Sequence, residues 1–141
     1  PLAICLPIAA TLAACYSLAI AWLLGSSDTI LASIAAKSVT APIAIGITEQ
    51  LGGTTALLLG ALLVTGVITI PCVSLAARWL HIDDERLIGF ALGLNGHAIG
   101  TVRAFEISPT AGAFASLGMS LTGIFTAVLL PLAWRLVGMG G

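Results

Sequence analysis

Most of this sequence consists of apolar runs that are long enough to cross a lipid bilayer as helices. A helix needs about 20 apolar residues to cross a hydrocarbon core of about 30 Å. Only 8% of the 141 residues are Asp, Glu, Lys or Arg, whereas soluble domains carry about 25%. So few charges cannot cover a surface that faces water. The sequence therefore predicts an all-α polytopic membrane protein, and its formal net charge of -1 excludes an electrostatic footprint for nucleic acid.

About five membrane segments are expected within one domain over residues 1–141. Short polar turns separate them, and LHIDDER (residues 80–86) is the only charge-dense loop. The chain enters an apolar run almost at its first residue, and so we expect it to lack N-terminal spans of a longer protein. The predicted segments are Leu2–Leu24, Thr29–Gln50, Thr54–Trp79, Leu87–Glu106 and Thr110–Val137.

Polar residues interrupt two of these segments near the middle. KSVTAP (residues 37–42) interrupts the second segment, and NGHAIGT (residues 95–101) interrupts the fourth. Measured along a helix, Lys37 lies about 14 Å from Asp28, and His97 lies about 16 Å from Arg86. Both depths are close to the bilayer midplane, where backbone without helical hydrogen bonds must be buried in protein or line a polar cavity. Two breaks at matching depth therefore predict one shared cavity.

The first break presents groups that bind anions. Thr40-Ala41-Pro42 is typical of a helix start, with Thr40 as the N-cap and Pro42 in the first turn. The positive end of that helix dipole would then lie near the midplane, next to the Lys37 ammonium and the Ser38 hydroxyl. The predicted substrate contacts in this break are Lys37, Ser38, Thr40 and Pro42.

The second break adds further donors and a flexible backbone. An amide, an imidazole and a hydroxyl lie between glycines that let the backbone approach a ligand closely. Gly100-Thr101 is expected to open another half-helix, and Arg103 offers a guanidinium fork for a carboxylate. Neither break contains a carboxylate, so the expected ligand is a small carboxylate and not a cation. The predicted contacts in this break are Asn95, Gly96, His97, Gly100, Thr101 and Arg103.

Several of these residues also have a purely structural explanation. Lys37 could extend toward the lipid headgroups, and His97 could be a satisfied core histidine. Arg103 could pair with Glu106, which lies one helical turn later. Small residues at helical spacing favour close packing of helices in lipid. They are Gly89, Gly93, Gly96 and Gly100 in the fourth segment, and Ala111 and Ala115 in the fifth.

The two broken segments could cross the membrane or return to the side from which they enter. If both cross, Arg78, Arg86 and Arg135 fall on one side, which the positive-inside rule makes cytoplasmic. If both return, these arginines are divided between the two sides. The charge distribution therefore favours full crossing by each segment.

No arrangement in the sequence indicates catalysis. We find no Ser/His/Asp order, metal-ligand spacing or phosphate-binding glycine loop. The chain is therefore expected to be no enzyme, with no catalytic residue, no cofactor and no metal site. Its polar residues form a donor-rich cluster that suits binding.

Two stretches around the breaks resemble the LrgB/CidB family of antiholin-like bacterial membrane proteins. They are AAKSVTAPIAIGITEQLGG (residues 35–53) and FALGLNGHAIGTVRAFE (residues 90–106). GAFASLGMSLTGIFTAVLLPL (residues 112–132) matches the family's C-terminal span. Leu94-Asn95-Gly96 departs from the pattern of the family, whose members are normally longer at the N-terminus.

The resemblance implies two classes of function. A plastidal glycolate/glycerate translocator of plants contains a similar domain fused to an LrgA-like one, and some bacterial relatives are linked to pyruvate uptake. The family thus implies a transporter of small monocarboxylates in the bacterial inner membrane, as a homo-oligomer and with an LrgA-like small membrane protein as a further partner. Its older label implies a holin-like pore or regulator of murein hydrolase export and cell lysis instead.

Overall fold

The computed structural model describes residues 2–136, with the side chains of all of these except residues 2–6, 9, 13 and 14. This part of the chain is helical and contains no strand. The helices are α1 (Leu2–Leu23), α2 (Asp28–Ala35), α3 (Ala41–Gln50), α4 (Thr55–Trp79), α5 (Glu85–Ile107) and α6 (Pro109–Leu136).

Two of the described helices, α4 and α6, are long and apolar enough to cross a membrane by themselves. The rest of the protein buries only 22% of the most apolar stretch of α4 and 33% of that of α6. The core helix of a soluble domain would be mostly covered. The large apolar surface that remains needs lipid or another protein against it, in keeping with a membrane protein.

The first predicted break is confirmed. α2 ends at Ala35 and α3 begins at Ala41, and residues 36–40 between them are not helical. Thr40 is the N-cap of α3, with φ -65° and ψ 147°, and Pro42 lies in the first turn. A proline is tolerated there because the first N–H groups of a helix have no partner within it.

The second predicted break is also confirmed, at a single residue. His97 lies inside α5 with φ 48° and ψ -130°, a conformation that residues other than glycine rarely adopt. The helix resumes at Ala98, so the expected restart at Gly100-Thr101 is two residues too late. We refer to residues 85–96 and 98–107 as the first and second arms of α5.

The two arms of α5 fold back on each other. The Ser108 hydroxyl donates a hydrogen bond to the Glu85 carboxylate over 2.6 Å, although the 23 residues of α5 would separate its ends by about 34 Å in a straight helix. Gly100 packs on the first arm so closely that a Cβ atom would lie 2.1 Å from the Leu92 carbonyl oxygen. α5 is therefore a helical hairpin, hairpin 2 (residues 85–107).

The first broken segment folds back in the same way. The backbone N–H of Thr54, which follows α3, donates to the Ser33 hydroxyl in α2 over 2.6 Å. Gly53 fits against the same turn, where a Cβ atom on it would lie 2.7 Å from the Ser33 nitrogen. We call residues 28–50 hairpin 1; its arms are α2 and α3.

These contacts correct the expected topology. The two ends of each hairpin lie at the same end of the bundle, and this arrangement disagrees with the expected full crossing by each broken segment. Arg86 lies at the start of hairpin 2, whereas Arg135 lies near the far end of α6, a helix of 28 residues or about 42 Å. The arginines are thus divided between the two ends and no longer predict an orientation.

Small residues bring hairpin 2 and α6 together, as their spacing predicts. A Cβ atom on Gly89 would lie 2.1 Å from the Ala111 carbonyl oxygen, and one on Gly93 would lie 2.0 Å from that of Ala115. Any side chain at either glycine would push the two helices apart. A second core surrounds hairpin 1 and includes Leu31, Val39, Ile47, Leu58 and Trp134.

A short bifunctional thiol reagent should join cysteines placed at positions 85 and 108. The variant carries Glu85→Cys and Ser108→Cys, with the native cysteines replaced by alanine, and cleavage between the two positions detects the cross-link. We expect no cross-link within one chain for Glu85→Cys with Arg135→Cys, because α6 carries position 135 about 40 Å away. Failure of the first pair in folded protein would contradict the hairpin.

Candidate functional site

A cavity of about 560 Å³ lies between both breaks and α4. Residues of the two breaks line it together, as their matching depths predict. The remainder of the lining is apolar or thiol side chains of α4. The polar lining consists of Tyr16, Lys37, Ser38, Thr65, Thr69 and Asn95.

Lys37 supplies the charge of this cavity. Its side chain is half-buried, and its ammonium lies 5.2 Å from the centre of the Tyr16 ring. Such a cation–π contact stabilises an ammonium by about 0.5–2 kcal/mol, depending on how far it is desolvated. Among the described residues no carboxylate lies within ion-pairing distance of Lys37. The positive charge is therefore held at the cavity by an aromatic face and is not neutralised.

Ser38 and His97 bring the two breaks into contact. Both residues are buried, and the His97 imidazole interacts with the backbone of Ser38 and with the charge of Lys37. The Nε2 atom of His97 has no hydrogen-bond partner within the described part of the chain. An unpaired buried polar atom costs free energy, so this nitrogen is suited to a ligand group or a water, although His97 lies behind the residues that line the cavity and is not one of them.

The other polar groups of the second break are partly used within hairpin 2. The side-chain N–H of Asn95 donates to the Ala91 carbonyl over 3.1 Å, and Asn95 also lines the cavity. The Thr101 hydroxyl donates to the His97 carbonyl over 2.7 Å and lies 3.7 Å from the Met119 sulfur. Thr101 therefore supports the turn at His97 and does not line the cavity.

Three predicted contact residues have other surroundings. Gly96 faces α4, where a Cβ atom on it would lie 3.2 Å from the Thr69 methyl carbon, and Gly100 packs against Leu92. Arg103 is exposed and pairs with Glu106 over 2.7 Å, so the ion pair considered for these residues is present. Lys37 is thus the one basic side chain that the described structure brings to the cavity.

The start of α3 completes the first break. Thr40 is half-buried and makes no side-chain capping hydrogen bond, so the first N–H groups of α3 donate no hydrogen bond to its hydroxyl oxygen. Pro42 is exposed and lies in the first turn of α3. The dipole of α3 points its positive end toward the loop that carries Lys37.

Three residues of the cavity escape prediction from the sequence. Tyr16 lies in an uninterrupted apolar run, and the threonines 65 and 69 lie in α4, which has no break. A signal was present, because Thr65 and Thr69 are four residues apart and share one face of the helix. The Thr69 hydroxyl donates a hydrogen bond to the Thr65 carbonyl over 2.8 Å. A threonine that bonds to its own helix in this way is compatible with an apolar helix, and so it does not stand out as a candidate site residue.

Comparisons with known proteins find relatives of this chain in several bacteria. An uncharacterised protein of Haemophilus influenzae is 34% identical over 118 residues, which cover 84% of this chain and 51% of that protein. Holin-like protein CidB of Staphylococcus aureus is 32% identical over 107 residues, which cover 76% of this chain and 47% of CidB. The uncharacterised protein YwbG of Bacillus subtilis is 33% identical over 99 residues, 70% of this chain and 44% of YwbG.

The chain spans about half the length of the curated relatives that it matches. No solved structure matches it. The profile of the LrgB-like family matches residues 1–136, which is nearly the whole chain. With both breaks, the cavity and all six helices inside that match, the chain belongs to the LrgB-like family.

Proposed function

We propose that the protein moves a small carboxylate across a bacterial inner membrane by alternating access at the cavity between the two hairpins. The observation that carries the proposal is the Lys37 ammonium, which borders the cavity without a carboxylate partner in the described structure. A cation in surroundings of low polarity favours an anion beside it. One ammonium balances one carboxylate, which favours monocarboxylates of the pyruvate, glycolate or glycerate class.

The hairpins give this proposal its geometry in the membrane. The second arm of hairpin 1 has 10 residues and the first arm of hairpin 2 has 12 (residues 85–96), or about 15 and 18 Å of helix. These lengths are about half of a bilayer core of about 30 Å. In our proposal the hairpins enter from opposite sides and meet at the midplane, while α1, α4 and α6 cross.

The supporting groups around Lys37 suit a 2-hydroxy or 2-oxo acid. Ser38 and Asn95 line the same cavity, and the buried His97 ring, which interacts with the Ser38 backbone, keeps its Nε2 atom unpartnered within the described part of the chain. Together they offer donors and an acceptor for the oxygen beside the carboxylate. We propose Lys37, Ser38, Asn95 and His97 as the substrate-contacting residues.

A holin-like role is the second candidate, and the name of a relative favours it. CidB, which is 32% identical, is called a holin-like protein. In that case the protein would form or regulate a pore for murein hydrolase export, as a homo-oligomer or with an LrgA-like partner. A pore needs lateral assembly around a wide lumen and no selective anion site.

Uptake by proteoliposomes that contain the full-length protein distinguishes the two candidates. We expect saturable uptake of labelled pyruvate or glycolate at a rate clearly above that of empty vesicles, with retention of a large trapped dye such as calcein. Release of the dye without saturable uptake would contradict the transporter and support the pore. Uptake equal to that of empty vesicles, with the dye retained, would contradict the transporter and leave only a regulatory role.

A further inference from the structure

Helices and hairpins of this chain recur with a spacing of 57 residues. CYSLAIAWL (residues 15–23) and CVSLAARWL (residues 72–80) share six of nine residues. TGVIT (residues 65–69) and TGIFT (residues 122–126) share the TG-x-x-T pattern at the same spacing. Charged residues keep it as well: Asp28 with Glu85, Glu49 with Glu106, and Arg78 with Arg135.

The structure repeats with the same spacing. The two breaks fall at Thr40 and His97, which are 57 residues apart. In unit 1 (residues 28–79: hairpin 1 and α4), the turn that contains Ala32 packs against residues 53–54. In unit 2 (residues 85–136: hairpin 2 and α6), Gly89 packs against Ala111. Equivalent positions therefore make equivalent contacts.

The two units run in opposite directions. The short connection of residues 80–84 turns the first arm of hairpin 2 back along α4, so that Gly96 reaches Thr69. The same arm runs parallel to α6, because Gly89 and Gly93 face Ala111 and Ala115 in that order. α4 and α6 are therefore antiparallel, and the units form an inverted pair, an arrangement that transporters use for alternating access.

Each hairpin rests on the helix of the other unit at a matching glycine. A Cβ atom on Gly66 of α4 would lie 2.8 Å from the Cδ1 atom of Ile99 in hairpin 2. A Cβ atom on Gly123 of α6 would lie 2.9 Å from the Cδ1 atom of Ile43 in hairpin 1. Gly66 and Gly123 hold the second position of the two TG-x-x-T patterns. We call these contacts seat 1 (Gly66 with Ile99) and seat 2 (Gly123 with Ile43).

The seats differ from the contacts inside a unit. Hairpin 2 meets α6 backbone against backbone at Gly89 and Gly93, and such a contact cannot loosen without separating whole helices. Seat 2 is formed by the end of the Ile43 side chain on Gly123. At seat 1 the Cδ1 atom of Ile99 is nearest to the added Cβ of Gly66, and the Ile99 Cβ atom and the Gly96 carbonyl oxygen lie 3.3 and 3.4 Å from it. Contacts made through an isoleucine side chain can change by small sliding of packed helices, as in shear motions.

We infer that seats 1 and 2 are the two gates of the cavity, and that they open in turn on opposite sides of the membrane as the inverted units exchange conformations. This inference rests on the proposed alternating access. Opening seat 1 releases hairpin 2 and exposes the cavity at the end that carries residues 80–84. Opening seat 2 releases hairpin 1 and exposes the cavity at the end that carries residues 24–27 and 51–54.

Cys72 reports on both gates, because it is a free thiol that lines the cavity. Gly66→Leu should displace Ile99 and hold seat 1 open, and Gly123→Leu should displace Ile43 and hold seat 2 open. Overpacking of this kind shifts a two-state equilibrium by about tenfold. Each variant is made in full-length protein whose only cysteine is Cys72, and right-side-out and inside-out vesicles are treated with a membrane-impermeant maleimide.

We expect Gly66→Leu to raise the labelling rate of Cys72 about tenfold from one side of the membrane, and Gly123→Leu to do so from the other side. Gly60→Leu is the control on α4, since a Cβ atom at Gly60 meets no atom within 4 Å, and it should leave labelling unchanged. Adding Ile99→Ala to Gly66→Leu, or Ile43→Ala to Gly123→Leu, should restore the original rate.

Equal labelling from one side in both variants, or no change in either, would overturn the inference. Labelling needs no substrate, so its result is independent of the uptake assay. Faster labelling of Cys72 from opposite sides of the membrane in the two variants, without carboxylate uptake, would support the paired gates and contradict the proposed substrate. Carboxylate uptake without this difference in the side of labelling would support the transporter and contradict the gates.

Discussion

Replacing Lys37 by methionine should lower the apparent affinity for the transported carboxylate by at least about tenfold. The substitution keeps the length of the side chain and its contact with Tyr16, and it removes the one positive charge that the described structure brings to the cavity. Removing one member of a charge pair that is shielded from water costs about 2–5 kcal/mol, and half-exposure of Lys37 reduces this figure. The measurement is the concentration dependence of uptake into proteoliposomes.

Two further variants separate charge from structure. Lys37→Arg should retain part of the uptake, because it keeps the charge but replaces a compact ammonium by a wider planar group. Arg103→Gln should leave the affinity near that of the unchanged protein, since Arg103 is exposed and paired with Glu106 away from the cavity. Unchanged affinity in Lys37→Met, at equal protein levels in the membrane, would show that Lys37 does not bind the substrate.

Gly100→Ala should destabilise the protein by about 3 kcal/mol or more. The added methyl carbon would lie 2.1 Å from the backbone oxygen of Leu92, and no rotation of a side chain can relieve a collision with backbone. The arms of hairpin 2 must then separate, and the contact between Glu85 and Ser108 is lost with them. Thermal unfolding of the purified protein in detergent measures the effect.

Gly46→Ala is the matched control for this substitution. Gly46 also lies in the second arm of a hairpin, but a Cβ atom there meets no atom within 4 Å. Alanine in such an open helical position should stabilise the helix by about 0.5–1 kcal/mol. Equal behaviour of Gly100→Ala and Gly46→Ala would show that the arms of hairpin 2 do not cross at Leu92.

The breaks could be predicted from the sequence, but the direction of the chain after them could not. Thr40 with Pro42, and His97 between glycines, are local signals of a helix start and a helix interruption. Folding back depends on contacts between distant positions, such as Ser108 with Glu85 and the packing of Gly100. No periodicity reveals such contacts, and three arginines are too few to predict the topology by charge.

The sequence predicts which polar side chains line the cavity better than it predicts where glycines lie. Lys37 and Asn95, which line the cavity, can be picked out from the sequence because polar groups are costly within lipid and therefore stand out in apolar runs. Gly100 was assigned to substrate because a missing side chain fits a ligand and a close helix contact equally well. Arg103 is predicted to contact the substrate for a similar reason, since sequence separation alone does not decide between binding a ligand and pairing with Glu106 one helical turn away.

In the topology that we propose, each hairpin returns to the side of the membrane that it left, and this return affects what gene duplication can produce. A unit of one such hairpin and one crossing helix crosses the membrane once, so the chain leaves the unit on the side opposite to the one where it entered. A tandem copy of the unit is then inserted with the opposite orientation in the membrane, without the gain or loss of a helix. If the broken segments had crossed, each copy would have contained two crossings, and duplication would have produced a parallel pair with no antiparallel partner.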